Sequence, residues 1–299
     1  MTRFEGPEGR ESEEDDVPDE ALMGGGFDPD LLEVDDDEDE DEDGEDGEDE
    51  EESDGGKKSK KTAAEDDDEK PRDPPPPVPS KKVLKSAFEW AFDGQEFLEP
   101  GLLDRYVEHA LMLLKANQDV NLTAVTDPKE VAVKHYFDSW RLSQMMPLLG
   151  RRVLDLGTGA GFPGIPLAMA EDAAKFTLCD STQKKIDFVQ KCVDKLGLKN
   201  VTAVAERAED HLLTQSYDVV VVRAVSSVRE NVRTLRKVRH RLKDYVMYKG
   251  ASWSREVRAG EREAERLGFS LDTVWEYELP GEMGKRALLV YRAPGGQGT

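Results

Sequence analysis

Between residues 82 and 149 the apolar positions recur at helical spacing, and Leu102, Leu103, Tyr106, Val107, Ala110, Leu111, Leu113 and Leu114 make one broad stripe. A stripe of that width predicts an amphipathic helix with one face in a core. A second helix is predicted to begin at Asp127-Pro128 and run towards Met146, ahead of Pro147. The Asp side chain can accept from the free amides of a first turn, and proline fits there because its missing N–H has no partner to lose. The polar stretch 117–126 reads as the turn between the two.

Past Gly150 the pattern changes to short β-branched runs at 153–156, 176–179, 201–205, 218–222 and 245–248, separated by amphipathic segments. Strands alternating with helices predict a parallel sheet in an α/β fold. The last two runs, 271–279 and 286–291, are separated by Pro280-Gly281-Glu282-Met283-Gly284, too short for a crossover helix, so they are predicted to pair antiparallel. No internal repeat is visible.

Residues 1–80 follow neither pattern. They hold 35 of the 65 acidic residues against 8 of the 41 basic ones, which leaves 30 acids and 33 bases for the rest of the 299-residue chain. The formal charge of −24 is therefore a property of the tail, and the remainder is free to meet a polyanion. The unbroken acidic run 35–43 buries too little apolar surface to offset chain entropy and is predicted to be disordered. Pro74 to Pro77 are then predicted to form an extended spacer. The organisation expected is a disordered acidic tail with a Pro-rich linker at 1–80, a helical prefix at 81–149, a catalytic core at 150–293 and a flexible end at 294–299.

Cys179 and Cys192 are the only cysteines, at a spacing that suits neither a zinc site nor a disulfide framework, so reduced thiols and no metal are expected. The N-terminus is acidic where a signal peptide would be basic, and no apolar run approaches the roughly 18 residues needed to span a bilayer. A cytoplasmic protein without a membrane partner is the expectation.

The first predicted strand ends in Asp155-Leu156-Gly157-Thr158-Gly159-Ala160-Gly161-Phe162-Pro163-Gly164. Glycines here let the backbone turn sharply and approach a ligand. Residues 159–164 also satisfy G-x-G-x-x-G, which keeps a dinucleotide site and a nicotinamide-dependent oxidoreductase open as an alternative. The register, with Asp155 two residues before Gly157, matches instead the D-x-G-x-G-x-G arrangement of S-adenosylmethionine sites. Asp180 closes the second strand about 20 residues later, where a carboxylate can accept from both ribose hydroxyls. Phe162 either lines that pocket or packs beneath the turn.

From about Tyr106 to Tyr291 the sequence resembles the small-subunit (16S) ribosomal RNA guanine-N7 methyltransferases, the RsmG or GidB family. The resemblance is carried by Asn121-Leu122-Thr123, His135-Tyr136-Phe137-Asp138-Ser139, residues 157–166, Asp180-Ser181, Arg223-Ala224 and Lys249-Gly250. It implies a Rossmann-like class I methyltransferase: a mostly parallel seven-stranded sheet with an antiparallel C-terminal hairpin and an N-terminal helical prefix. It further implies S-adenosylmethionine as cofactor, methyl transfer to N7 of a guanine in 16S ribosomal RNA, and the small ribosomal particle or its RNA as partner. Gly157, Phe162, Ala208, Glu209 and Arg223 are the cofactor-binding residues it implies, beside Asp155, Gly159 and Asp180 from the motif itself. Lys184, Arg207, Lys249 and Arg286, with Arg223, would surround the pocket, where cations hold RNA phosphates or the cofactor carboxylate. A protein of this fold that binds RNA without turnover, or one that methylates another RNA, remains an alternative.

Guanine N7 attacks through a ring lone pair, so no proton leaves first and no general base is needed. An adenine-N6 enzyme would carry an Asn/Asp-Pro-Pro-aromatic loop after the fourth strand, where this chain has Arg223-Ala224-Val225-Ser226-Ser227. A cytosine-C5 enzyme needs a cysteine nucleophile, and neither cysteine is placed for it. His135 and Asp138, three apart on one helical face, either brace the glycine loop, line the entrance or simply pair with one another. Between Arg229 and Lys243 seven bases stand against Glu230 alone, with Val228, Val232, Leu235, Val238 and Leu242 marking the buried side of the same predicted helix. That face is either an RNA-backbone surface or a merely solvated one, and the acidic tail either competes with RNA for it or serves solubility alone.

Overall fold

A computed structural model describes residues 76–96 and 98–294. The acidic tail, and with it either of its expected roles, lies outside the described residues, as do the start of the proline run and residues 295–299.

Ser80 opens α1 (Lys81–Ala91) with its hydroxyl accepting from the Val83 amide, and Leu84, Ala87, Phe88 and Ala91 face the core at helical spacing. In α2 (Leu102–Ala116) the predicted stripe buries Leu102, Tyr106, Val107, Ala110, Leu113 and Leu114. Asp127 caps the next turn, α3 (Pro128–Glu130), accepting from the Lys129 and Glu130 amides at 2.9 and 3.0 Å. The second predicted helix is not uniform. A π-helical segment, Val131–Phe137, separates α3 from α4 (Asp138–Met145). Its wider turn buries Val131, Ala132 and Val133 in succession together with Tyr136 and Phe137, more of the circumference than one α-helical stripe covers.

Seven strands form one sheet: β1 (Arg152–Leu156), β2 (Lys175–Cys179), β3 (Val201–Val204), β4 (Tyr217–Arg223), β5 (Leu242–Lys249), β6 (Ser270–Glu278) and β7 (Lys285–Arg292), in the order β3-β2-β1-β4-β5-β7-β6. The first five run parallel, and β7 lies antiparallel between β5 and β6, as the short 280–284 connection requires. Helices α5 (Gly164–Ala170), α6 (Gln183–Leu196), α7 (Ala208–Thr214), α8 (Val228–Thr234) and α9 (Trp253–Arg266) complete the crossovers.

Successive strand residues point to opposite faces, and both faces are covered. Val153, Val219, Val246 and Leu288 meet Leu84, Tyr106, Tyr136 and Trp140 of the helical prefix in one core. Leu154, Val220, Tyr245 and Leu289 meet Leu212, Val232 and Val257 of α7, α8 and α9 in the other.

The continuous basic helix expected over 229–243 is absent. Helix α8 stops at Thr234, Arg239–Arg241 form a 3-10 turn, and Leu242 already pairs with Tyr217 as the first residue of β5. Sheet pairing takes the end of the segment, so its apolar residues are buried from a short helix (Val228, Val232), a turn (Leu235, Val238) and a strand (Leu242) rather than from one helical stripe. Several of its bases are engaged locally: Arg233 with Glu263 at 3.1 Å, Lys243 with Asp218 at 2.9 Å, and Arg241 on the Leu213 carbonyl at 3.0 Å.

Candidate functional site

Strands β1 and β4 are neighbours, but the chain leaves β1 for β2 on one side and β4 for β5 on the other. The loops at their carboxyl ends therefore part and open a crevice, the usual ligand position in such sheets. A cavity of ≈ 1130 Å³ lies there, bounded by the glycine loop, the ends of β2 to β5 and the π-helical segment. That volume exceeds the roughly 300–1,000 Å³ of common small-molecule pockets, leaving room for more than one ligand group.

The glycine loop is built from beneath by Asp155. Its Oδ2 accepts from the Thr158 hydroxyl at 2.6 Å and the Gly164 amide at 2.8 Å, while Oδ1 is buried with no hydrogen-bond partner. Burial pushes this carboxyl up to about 6, against the opposing pull of the two hydrogen bonds. Asp155 is fully buried and does not line the cavity, so its work is to fix the loop from below. Gly157 has φ +71, and a Cβ there would sit 3.1 Å from Val225 Cγ2, so the close approach of the two loops depends on glycine.

Asp180 forms the adjoining wall. Its Oδ2 accepts from the Gly159 amide at 3.0 Å, its Oδ1 accepts from the Thr182 amide at 2.9 Å, and Lys185 Nζ lies 3.6 Å from Oδ2. Each oxygen keeps further acceptor capacity for a ligand hydroxyl. Lys184, implied by the resemblance, is exposed and outside the cavity; its neighbour Lys185 lines the wall instead. On the third strand's loop, Ala208 and Glu209 line the cavity, with Arg207 largely exposed 3.8 Å from Glu209. Behind them Glu206 pairs with His211 Nδ1 at 2.5 Å, and His211 Nε2 meets the Tyr217 hydroxyl at 2.7 Å.

Opposite lies a cluster centred on Arg223. Its guanidinium donates to the Lys134 carbonyl at 2.7 Å, approaches Asp138 Oδ2 at 3.3 Å and His135 Nδ1 at 3.5 Å, and stands 5.3 Å from the Phe162 ring centre. Phe162 stacks on His135 with ring centres 4.7 Å apart, so it both packs beneath the turn and borders the cavity. Burial holds His135 down to about 3, with Arg223 adding to the effect. The ring is neutral, and with Nδ1 facing Arg223, Nε2 carries the proton towards the Thr123 hydroxyl at 2.8 Å. Asp138, nearly fully buried, also accepts from the Tyr277 hydroxyl at 2.8 Å and lies 3.7 Å from Arg286 Nε. His135 and Asp138 thus brace the site from separate positions around Arg223.

Lys249 was expected around the pocket as a cation for RNA phosphates or the cofactor carboxylate, and it does line the cavity. It is buried, with Nζ donating to the Ser226 carbonyl and to Glu256 Oε2, each at 2.6 Å. It fixes the β4–α8 loop. Arg286 retains partial exposure at the cavity edge. Cys179 and Cys192 are unpaired and buried, and burial pushes both thiols up to about 12, away from the thiolate form a nucleophile needs. Among the described residues no group of three or more His, Cys, Asp or Glu side chains is placed to hold a metal, and no helix is long and apolar enough to cross a membrane.

Thr123, Lys185, Glu206 and Val225 line the cavity without having been singled out as site residues from sequence. Thr123 lay within a quoted motif; for the other three, adjacency to a motif residue was the signal.

Residues 102–280 match the family described as GidB, rRNA small subunit methyltransferase G. A protein of Carboxydothermus hydrogenoformans named ribosomal RNA small subunit methyltransferase G is 37% identical over 195 residues, covering 64% of this chain and 82% of that protein. The protein of the same name from Solibacter usitatus is 36% identical over 207 residues, covering 66% of this chain and 97% of its own length. With a family match across well over half its length, and with the strand order and glycine loop described above, the chain belongs to the rRNA small subunit methyltransferase G family.

Proposed function

We propose that this protein transfers a methyl group from S-adenosylmethionine to N7 of a guanine in small-subunit (16S) ribosomal RNA, in the cytoplasm. The observation that carries the reading is the pairing, across one cavity, of a glycine loop and Asp180 with the Arg223–Asp138–Arg286 cluster. The first suits an adenosine moiety and the second a charged group.

The residues present fit the cofactor. Asp180 offers free acceptor capacity for ribose hydroxyls, Gly157 and Gly159 expose backbone beside it, and Ala208 and Glu209 border the position an adenine would take. Phe162 and Arg223 close the other end. When bound, S-adenosylmethionine supplies an electrophilic methyl group on a sulfonium. The protein has to orient the acceptor and exclude water, which through proximity alone lowers a barrier by about 7–11 kcal/mol in favourable cases. Proton abstraction is not required at N7, and this agrees with a neutral His135 whose two ring nitrogens are both engaged. Arg207 and Arg286, the more exposed of the rim cations, suit RNA phosphates better than the buried Lys249.

The test is incubation with labelled S-adenosylmethionine and small ribosomal subunits lacking the endogenous modification, followed by mapping of the methyl group. Label on guanine N7, lost in Asp180→Ala, is the expected result. Tight cofactor binding without transfer to any RNA would replace this reading with an RNA-binding role.

A further inference from the structure

The loop from β4 to α8 lines the same cavity as the glycine loop. Ala224 adopts φ +53, a left-handed conformation that costs an L-residue energy and persists only where its surroundings enforce it. The next residue, Val225, is 49% exposed. Among the described residues, the other large apolar side chains left exposed are Val83, Trp90, Leu149 and Leu213, and of the five Val225 is the one that lines the cavity. The following residue is held from three directions: the Ser226 carbonyl accepts from Lys249 Nζ at 2.6 Å and from Asn231 Nδ2 at 3.1 Å, and its hydroxyl donates to Asn231 Oδ1 at 2.8 Å. Asn231 and Lys249 are both buried, so neither yields to solvent.

A strained backbone, two buried polar anchors and an exposed valine meet at one cavity mouth, an arrangement that costs stability and persists only because its surroundings enforce it. We infer that Val225 is the apolar face against which the acceptor guanine lies, with Lys249 and Asn231 as positioning residues acting through Ser226. Valine offers no hydrogen bond, so what it fits is the flat face of a base; the base edges, N7 included, stay free to point into the cavity. Its Cγ2 would lie 3.1 Å from a Cβ on Gly157, so whatever rests on it is held beside the glycine loop. Arg223 and Arg286 line the same cavity, each beside Asp138.

The inference rests on the methyl-transfer reading above, and the experiment separates the two. Wild type, Val225→Ser and Val225→Leu are compared for transfer to unmodified small subunits and for S-adenosylmethionine affinity by calorimetry. Losing the apolar contact is expected to lower kcat/KM for the RNA about 10-fold in Val225→Ser, with cofactor Kd within about 2-fold of wild type and most activity kept in Val225→Leu. If Val225→Ser matches wild type on RNA, or weakens cofactor binding in proportion, Val225 is not the base platform although the enzyme reading stands. If wild type itself transfers no methyl group to any small-subunit RNA, the enzyme reading fails and the base platform with it.

Discussion

Gly164→Ala places a methyl group where the structure has no room. The added Cβ would lie 2.0 Å from Leu178 Cδ2, 2.7 Å from Asp155 Oδ2 and 3.2 Å from Asp155 Cβ. Gly164 is the first residue of α5 and needs no left-handed backbone, so helix propensity by itself would favour alanine by about 0.5–1 kcal/mol. Against this stand overpacking of a core contact, about 1–3 kcal/mol, and loss of the Gly164 amide bond to a buried carboxylate, about 1.5–3 kcal/mol. The balance is a destabilisation of about 2–5 kcal/mol, read from the shift in urea midpoint at unchanged m-value. Because the same carboxylate holds Thr158, the glycine loop should loosen too, raising the Kd for S-adenosylmethionine by more than 10-fold in calorimetry. A variant as stable as wild type would refute the close packing. One that is destabilised yet binds cofactor normally would refute the claim that Asp155 sets the loop.

Asp155→Asn probes the same carboxyl through pH. Its folded value, about 6, lies above the ordinary 3.8, so the native state binds the extra proton and the associated stability is complete below about pH 4 and lost as pH rises through 6. The stability of wild type relative to Asp155→Asn should therefore fall by roughly 3 kcal/mol between pH 4 and 7 in parallel urea titrations, and a flat difference would contradict the assignment. Lys249→Met should cost about 1–3 kcal/mol by leaving Glu256 unpaired and the Ser226 carbonyl with only its Asn231 bond, and Lys249→Met combined with Glu256→Met should recover part of it in a double-mutant cycle. Arg223→Lys keeps the charge but not the planar fork, so cofactor affinity should drop about 10-fold; unchanged binding would mean that charge alone suffices.

The sheet was legible because its chemistry is local and repetitive. Runs of β-branched residues such as 218–222 mark a strand buried on both faces, and the five-residue connection at 280–284 allows only antiparallel pairing. Asp127-Pro128 announced a helix start through capping alone. The glycine loop and Asp180 were legible because a backbone approached by a ligand must use glycine at fixed places. What could not be read was whatever depends on partners distant in sequence. The π-helical turn follows from burying Val131, Ala132 and Val133 together, which no periodicity displays. The basic stretch 229–243 has helical spacing, yet pairing of Leu242 with Tyr217 outweighs it. Lys249 reads as a surface base until Glu256 and Ser226 are placed around it, and Lys184 and Lys185 differ only in which side of α6 meets Asp180.

Arg223 contacts the Lys134 carbonyl, His135 and Asp138 on one side and the Phe162 ring on the other. With Tyr277 and Arg286 on Asp138 and the Tyr248 hydroxyl donating to the Ser139 carbonyl, this ties the helical prefix to the sheet and makes the two poor building blocks on their own. A fragment starting at residue 150 would strand a guanidinium against an apolar ring with neither its carboxylate nor its carbonyl. A chimera that borrows the prefix of another protein would need His135 and Asp138 to arrive together on a turn of the same width. Recombination at this seam is therefore constrained to whole-module exchange that preserves the π-turn.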